Sequence, residues 1–239
     1  MSPEQSDAER SEPAQRRIAI VAARNEADAI GPTLDALAEA MPGIELVVAD
    51  DASDDGTDAI ALSEGAMLVR RNRSHGKGGN VGAAAEAVRS AGLDPNATVL
   101  LCDADLGASA RELSRLADAV EGGECDLAVA AFARRVGGGF GVALRFARWA
   151  IERRSGYRAG APISGQRAIR AEVLGSILPL APGFGMEIGM TVDAVRAGYR
   201  VREYELPLTH RATFRTFSGF VHRARQLRDF VRAYAGRRG

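Results

Sequence analysis

Asp103 and Asp105 stand one residue apart at the end of the apolar run Val99-Leu100-Leu101-Cys102. An uninterrupted run of this kind suits a strand buried on both faces of a sheet. Carboxylates at its end lose hydration unless a cation meets them there. Side chains alternate with period two, so Asp-x-Asp puts both carboxylates on one side of the chain. Such hard oxygens suit Mg²⁺ or Mn²⁺, and Mg²⁺ commonly sits between one or two carboxylates and substrate phosphates. The plainer alternative is an Asx-turn that merely ends the strand.

Gly76-Lys77-Gly78-Gly79 is a second candidate. Glycines let a backbone approach phosphate, a helix starting there offers free N–H groups, and Lys77 adds a compact charge. Lys77 is the only lysine in the chain, which otherwise uses Arg. Read as a solvated turn residue, it should contribute little to folding stability. Asp50 and Asp51 end another apolar run, Ile44–Ala49, and one of the pair is expected to cap the helix that follows. Glu187 is the one carboxylate of the apolar segment Gly183–Met190. It is placed either to orient or deprotonate a hydroxyl, or to anchor a helix start by charge–dipole attraction. Arg134, Arg135, Arg145 and Arg148 flank Gly137-Gly138-Gly139. Some of them can meet a phosphate or carboxylate, while the others form a solvated helix face.

The elements that must position these groups alternate. Residues 1–15 are polar and are expected to be a disordered tail. Arg17–Ala23 reads as a first strand, and Glu26–Met41 as a helix with Ile30, Leu34, Leu37 and Ala40 on one face. Ile44–Ala49, Ala66–Arg70, the Asp-x-Asp run and Asp126–Phe132 are further strands, with helices to about Ser63, to Ala91 and over Ser109–Glu121. The alternation predicts a mostly parallel α/β sheet with helices on both faces. After Phe132 it breaks. A basic helix over Phe140–Arg154 should bury Phe146 and Trp149, and Pro162-Ile163-Ser164 reads as strand-like. Helices near Ala171–Ile177 and Glu187–Arg196, a strand over Tyr199–Leu206 and a last helix over Phe217–Tyr234 complete the chain. One domain over residues 16–239 is expected, with 16–132 the nucleotide-binding half and 133–239 the acceptor side.

Composition excludes several classes. The 239 residues are 46% hydrophobic and 26% charged, as in ordinary globular proteins. Lys+Arg and Asp+Glu are both 31, so no net field points to nucleic acid. No apolar segment approaches the roughly 18 residues of a membrane span. Cys102 and Cys125 lie in apolar runs and read as small buried hydrophobes. A cytoplasmic protein is the expectation. Gly-x-Gly-x-x-Gly does not follow the first strand, which argues against a dinucleotide-binding oxidoreductase.

Four motifs in order carry a resemblance: Ile20-Val21-Ala22-Ala23-Arg24-Asn25-Glu26, Val48-Ala49-Asp50-Asp51-Ala52-Ser53-Asp54-Asp55-Gly56-Thr57, Gly76-Lys77-Gly78-Gly79 and Asp103-Ala104-Asp105. Together they resemble the signature of family 2 glycosyltransferases with the GT-A fold. The second half is similar to glucosyl-3-phosphoglycerate synthases and their relatives, through Gly137-Gly138-Gly139, Pro162-Ile163-Ser164-Gly165-Gln166, Gly183–Gly189 and Thr209-His210-Arg211. The resemblance implies a nucleoside diphosphate sugar donor, UDP-glucose or similar, bound by Ala23, Asn25, Glu26, Asp50, Asp51, Ser53, Lys77, Asp103 and Ala104. One of Asp50 and Asp51 would read the base. It implies Mg²⁺ or Mn²⁺ on Asp105 and His210, catalysis by Asp105 and Glu187, and an acceptor held by Gly138, Gly139, Ser164 and Gln166. His75 and His222 receive no role.

One departure concerns the acceptor. The resembled synthases place Arg directly after the three glycines, and here that residue is Phe140, which cannot recognise an anion bidentately. The acceptor is therefore open: a small anionic molecule, or a polyprenyl phosphate met at the membrane periphery with the Trp149 helix at the lipid surface. A non-catalytic nucleotide-sugar sensor is the reading from another class. A second copy of the chain is a candidate partner.

Overall fold

The computed structural model describes residues 15–132, 141–209 and 236. Its strands are β1 (Arg17–Ala23), β2 (Glu45–Asp50), β3 (Met67–Arg70), β4 (Thr98–Asp103), β5 (Leu127–Phe132), β6 (Arg167–Arg170) and β7 (Val201–Leu206). They form one seven-stranded sheet in the order β3-β2-β1-β4-β6-β5-β7. β6 pairs antiparallel with β4 and with β5, while every other pairing is parallel. This is the mostly parallel α/β sheet that the alternation predicts.

The helices are α1 (Ala27–Ala40), α2 (Thr57–Ser63), α3 (Gly76–Ser90), α4 (Ser114–Glu121), α5 (Gly141–Ser155), α6 (Ala171–Ile177) and α7 (Met186–Arg196). Alternation along each strand divides the core between the two faces. Ala19, Val21, Val48, Leu100 and Cys102 face α1, α2 and α4, whereas Ile18, Ile20, Val47, Val99 and Leu101 face α3, α6 and α7. Leu100 and Leu101 are essentially unexposed, and burying such a side chain is worth about 1.5–3 kcal/mol. Both cysteines are free and buried. No helix among the described residues is long and apolar enough to cross a membrane.

Three expectations need correction. Pro162–Ser164 forms a turn, and the strand starts later at Arg167. Proline lacks the N–H a ladder requires, and it lies between Gly160 and Gly165. The helix over Ser109–Glu121 is 3-10 from Gly107 to Leu113 and α-helical only from Ser114. Trp149 is 49% exposed, because α5 packs on α7 through Ala147, Ala150 and Ile151 instead. The tail to Ala14, the Gly137–Gly139 loop and the Phe217–Tyr234 helix lie outside the described residues.

Register sets the working edge. Ala23 pairs with Asp50 and Ala22 with Asp103, so β1, β2 and β4 end side by side. Backbone bonds from Asp51 N to Ala23 O (3.0 Å) and from Ala104 N to Ala22 O (3.1 Å) carry the ladder one residue further. Between β2 and β4 the strand order reverses around β1, the place where open α/β sheets bind ligands. α3 packs closely on the connection between α6 and α7: a Cβ on Gly78 would stand 2.8 Å from Gly183 O and would also meet Ala181 O. Gly78→Ala is therefore expected to lower stability by about 1–3 kcal/mol in denaturant melts. Gly79→Ala, facing only the His75 Cβ at 3.1 Å, should cost less.

Candidate active site

The loops after β1 and β2 are stitched together. Ser53 Oγ accepts from Asn25 N (2.9 Å), Asn25 Oδ1 from Asp54 N (3.1 Å), and Thr57 Oγ1 from Glu26 N (2.9 Å). Asn25 adopts φ 56°, a left-handed conformation that asparagine tolerates. Asp50 is wholly buried and turns to the α1 and α2 face, where Ser53 N (3.2 Å), Ser53 Oγ and Arg70 Nε (3.4 Å) meet its carboxylate. Asp51 instead accepts from Ser74 Oγ (2.6 Å), His75 N (2.7 Å) and Gly76 N (3.0 Å).

Capping therefore differs from expectation. Asp51 serves the N-terminus of α3, not of α2, because the loop it closes runs across the sheet edge. Asp55 serves α2, accepting from Thr57 N at 3.0 Å. Gly76 to Gly79 already belong to α3, and the Asp51 carboxylate occupies the N–H groups of His75 and Gly76 that were expected to be free. The negative charge lies where a helix N-terminus favours it.

Asp103 lies on the opposite face, toward α3 and α7. Lys77 Nζ stands 2.5 Å from Asp103 Oδ1 and 3.4 Å from Glu187 Oε1, and Gln166 Nε2 donates to Asp103 Oδ2 at 3.0 Å. These four side chains come from α3, β4, α7 and the turn before β6. Lys77 is no solvated turn residue; its side chain is only 19% exposed. Burial opposes its charge, but the Asp103 and Glu187 carboxylates more than offset this and hold it above the usual lysine range. Gly165 walls the pair in, since a Cβ there would collide with Lys77 Nζ and lie 3.2 Å from Asp103 Oδ2.

Asp105 sits at a half-buried corner between buried Ala104 and Leu106. Ser164 and Gln166 are buried beside the Lys77 cluster, and Ser164 Oγ and Gln166 Oε1 have no hydrogen-bond partner among the described residues. Gly138, Gly139 and His210 lie outside the described residues, although Thr209 N, just before His210, donates to Ser109 Oγ at 3.1 Å. The first strand of the second half also brings a group the motifs did not include. Arg167 is fully buried, donates to Ser164 O (2.9 Å) and Thr191 Oγ1 (3.0 Å), and leaves Nη2 without a partner among the described residues. Burial pushes its pKa down to about 10 despite Glu187 and Glu203 nearby. The signal was an arginine opening an apolar strand. Glu203 of β7 accepts from the N–H groups of Gly160 and Ala161 at 2.9 Å each, fixing the turn that carries Ser164.

Residues 18–175 match the family described as glycosyl transferase family 2. The chain belongs to that family. It is 32% identical over 215 residues to a polyprenol monophosphomannose synthase of Mycolicibacterium smegmatis, covering 83% of this chain and 79% of that one. An undecaprenyl-phosphate mannosyltransferase of Micrococcus luteus is 30% identical, with 81% and 83% covered. Among solved structures, glucosyl-3-phosphoglycerate synthase of Mycobacterium tuberculosis, in complex with Mn²⁺, UDP and glucosyl-3-phosphoglycerate, superposes with TM-score 0.75 at 25% identity. That match covers 94% of this chain and 80% of the other. The protein is thus a glycosyltransferase of the GT-A fold, and the strand-end cluster lies where such a sheet binds ligands.

Lys77 tests the cluster. Removing a cation from between two carboxylates leaves both uncompensated, so Lys77→Met should destabilise by on the order of 3 kcal/mol. Lys77→Arg should not restore it, because Gly165 leaves no room for a wider head. A folded-state pKa above the unfolded value of about 10.4 means the contribution is whole below that pH and is lost as pH rises through the folded value. The melting difference between wild type and Lys77→Met should therefore be flat from about pH 6 to about pH 9 and shrink only in stronger alkali.

Proposed function

We propose that this enzyme moves a sugar from a nucleoside diphosphate sugar, UDP-glucose or a close analogue, to the phosphate of a lipid monophosphate acceptor at a membrane surface. The observation that carries the donor side is the convergence of Asp51, Lys77, Asp103, Asp105 and Glu187 on one sheet edge in a family 2 chain. The mycobacterial synthase whose structure contains UDP and Mn²⁺ supports the same donor class. In this reading residues 16–132 hold the donor and 133–239 the acceptor, within one domain.

Among the described residues no three His, Cys, Asp or Glu side chains gather to hold an ion, so the proposed divalent ion takes few protein ligands and relies on the donor phosphates. Asp105, at the half-buried corner just beyond β4, is the proposed direct oxygen ligand, with His210 as the proposed nitrogen ligand and Asp103 held behind it by Lys77 and Gln166. Hard oxygen donors in small number suit Mg²⁺ or Mn²⁺ that also takes phosphate. When bound, such an ion stabilises the charge that develops on the leaving diphosphate. The chain's own residues do the rest. Asn25, Glu26 and Ser53 shape the floor under the base with Ala23, and Asp51 orders the start of α3. Asp50 holds that floor from beneath through Ser53. Lys77 adds positive charge near the phosphates, and Ala104 lines the ribose side.

The lipid reading rests on α5. Val142, Arg145, Trp149 and Arg153 are spaced to share one helix face; Val142 is 66% exposed and Trp149 49%. A basic helix with exposed apolar and indole groups suits the boundary of an anionic bilayer. The two mannosyltransferase relatives, whose names contain polyprenol and undecaprenyl-phosphate, support it. Gly138, Gly139, Ser164 and Gln166 would then face the phosphate head.

A phosphate acceptor is largely ionised at neutral pH and needs no base, so Glu187 would serve by holding Lys77. Glu187→Gln should then slow transfer to undecaprenyl phosphate in anionic vesicles by less than about tenfold. With a hydroxyl acceptor, losing a general base costs about 10²–10⁴-fold. Radiolabelled UDP-sugars with Mn²⁺ should label the lipid phase and leave phosphoglyceric acid unlabelled. Labelling of phosphoglyceric acid alone would reverse the acceptor assignment, and donors left intact with every acceptor would favour a sensor.

A further inference from the structure

A buried threonine on α1 touches the corner that carries Asp105 from both sides. Thr33 is wholly unexposed and shares its helix face with Ile30, Leu34 and Leu37. A hydroxyl there could satisfy itself by bonding back to Ala29 O, which lies 3.0 Å away. It also reaches Ala104 O at 2.7 Å and accepts from Gly107 N at 2.9 Å. The four residues 104–107 turn the chain sharply, with Gly107 at φ 51°. In a simple turn the first carbonyl and the fourth N–H bond each other. Here the threonine oxygen bridges those two groups from another element, and Asp105 sits in the span between them.

The rest of the corner is fixed as well. Ala104 N is tied to Ala22 O, and Ser109 Oγ bonds Leu106 O at 2.7 Å while accepting from Thr209 N. Among the described residues, Thr33 is the side chain that meets both peptide groups flanking the Asp105–Leu106 pair.

We infer that Thr33 is the positioning residue for Asp105, holding its carboxylate where the donor diphosphate and its divalent ion are bound. The inference rests on the donor-side reading above. Groups that orient a ligating carboxylate commonly change metal affinity 10- to 100-fold when removed. Valine has the shape of threonine but neither donates nor accepts; serine keeps the hydroxyl.

Calorimetric titration of UDP, with Mn²⁺ and with EDTA, on wild type, Thr33→Val and Thr33→Ser tests this. The Mn²⁺-dependent gain in affinity should fall about 10- to 100-fold in Thr33→Val and return to within about threefold of wild type in Thr33→Ser. Affinity in EDTA should be equal in all three. In an Asp105→Ala background, Thr33→Val should have no further effect on that gain, since Thr33 acts on it only by positioning Asp105. A Thr33→Val protein with a lowered melting temperature but wild-type Mn²⁺-dependent affinity would reduce Thr33 to a packing role and overturn the inference. If Thr33→Val does not fold, Thr33→Cys keeps the volume with a much weaker hydrogen bond and is judged by the same loss. Wild-type protein that binds UDP equally with and without Mn²⁺ would overturn the donor-site reading itself, and the inference with it.

Discussion

The ammonium of Lys77 lies between two carboxylates from different layers of the molecule, and the site depends on that charge balance. Asp103 ends β4, Glu187 begins α7, and both would repel across a partly dry space without a cation. The lysine needs its own conditions. α3 must come close enough to the segment before α7, which Gly78 permits against the Ala181 and Gly183 backbone, and Gly165 must lack a side chain. Asp51 secures the same helix from the far side by taking the first N–H groups of α3. The glycine-rich segment thus acts as a packing device that delivers one charged head to one place.

Reversal of β6 explains why the second half can contribute at all. A strand antiparallel to its neighbours presents its beginning, not its end, at the edge where β1, β2 and β4 finish. Gln166 therefore arrives on Asp103, and Arg167 opposite Leu101, as the chain enters the sheet. In a wholly parallel arrangement the same residues would lie at the opposite edge.

The parallel units of the first half were legible because each strand is a short apolar run and each helix follows at once. Asp103, Lys77 and Glu187 could each be singled out from sequence, since charges in apolar or glycine-rich settings demand a partner. That they partner one another could not be read, because the register between α3 and α7 depends on backbone contacts at glycines far apart in sequence. Thr33 was invisible for a similar reason: one threonine on an apolar helix face is ordinary until the corner it bridges is in view. The exposed Trp149 was misread because α5 packs on α7 through alanines, and small residues leave a weak periodic signal.

The bond between Ser109 and Thr209 spans one hundred positions of chain. Contacts of such separation form late, after loop closure over intervening segments has been overcome. The β1–β4 pairing spans a comparable stretch of chain, with Ala22 opposite Asp103, so both ends of the working edge close over long segments. The Lys77 head meets Asp103 from the first half and Glu187 from the second, so the carboxylate cluster is complete only when both halves are in place. Divergence of the second half is therefore confined by Gly165, Gln166 and Glu187, where it touches Lys77 and Asp103, and is released on the exposed face of α5.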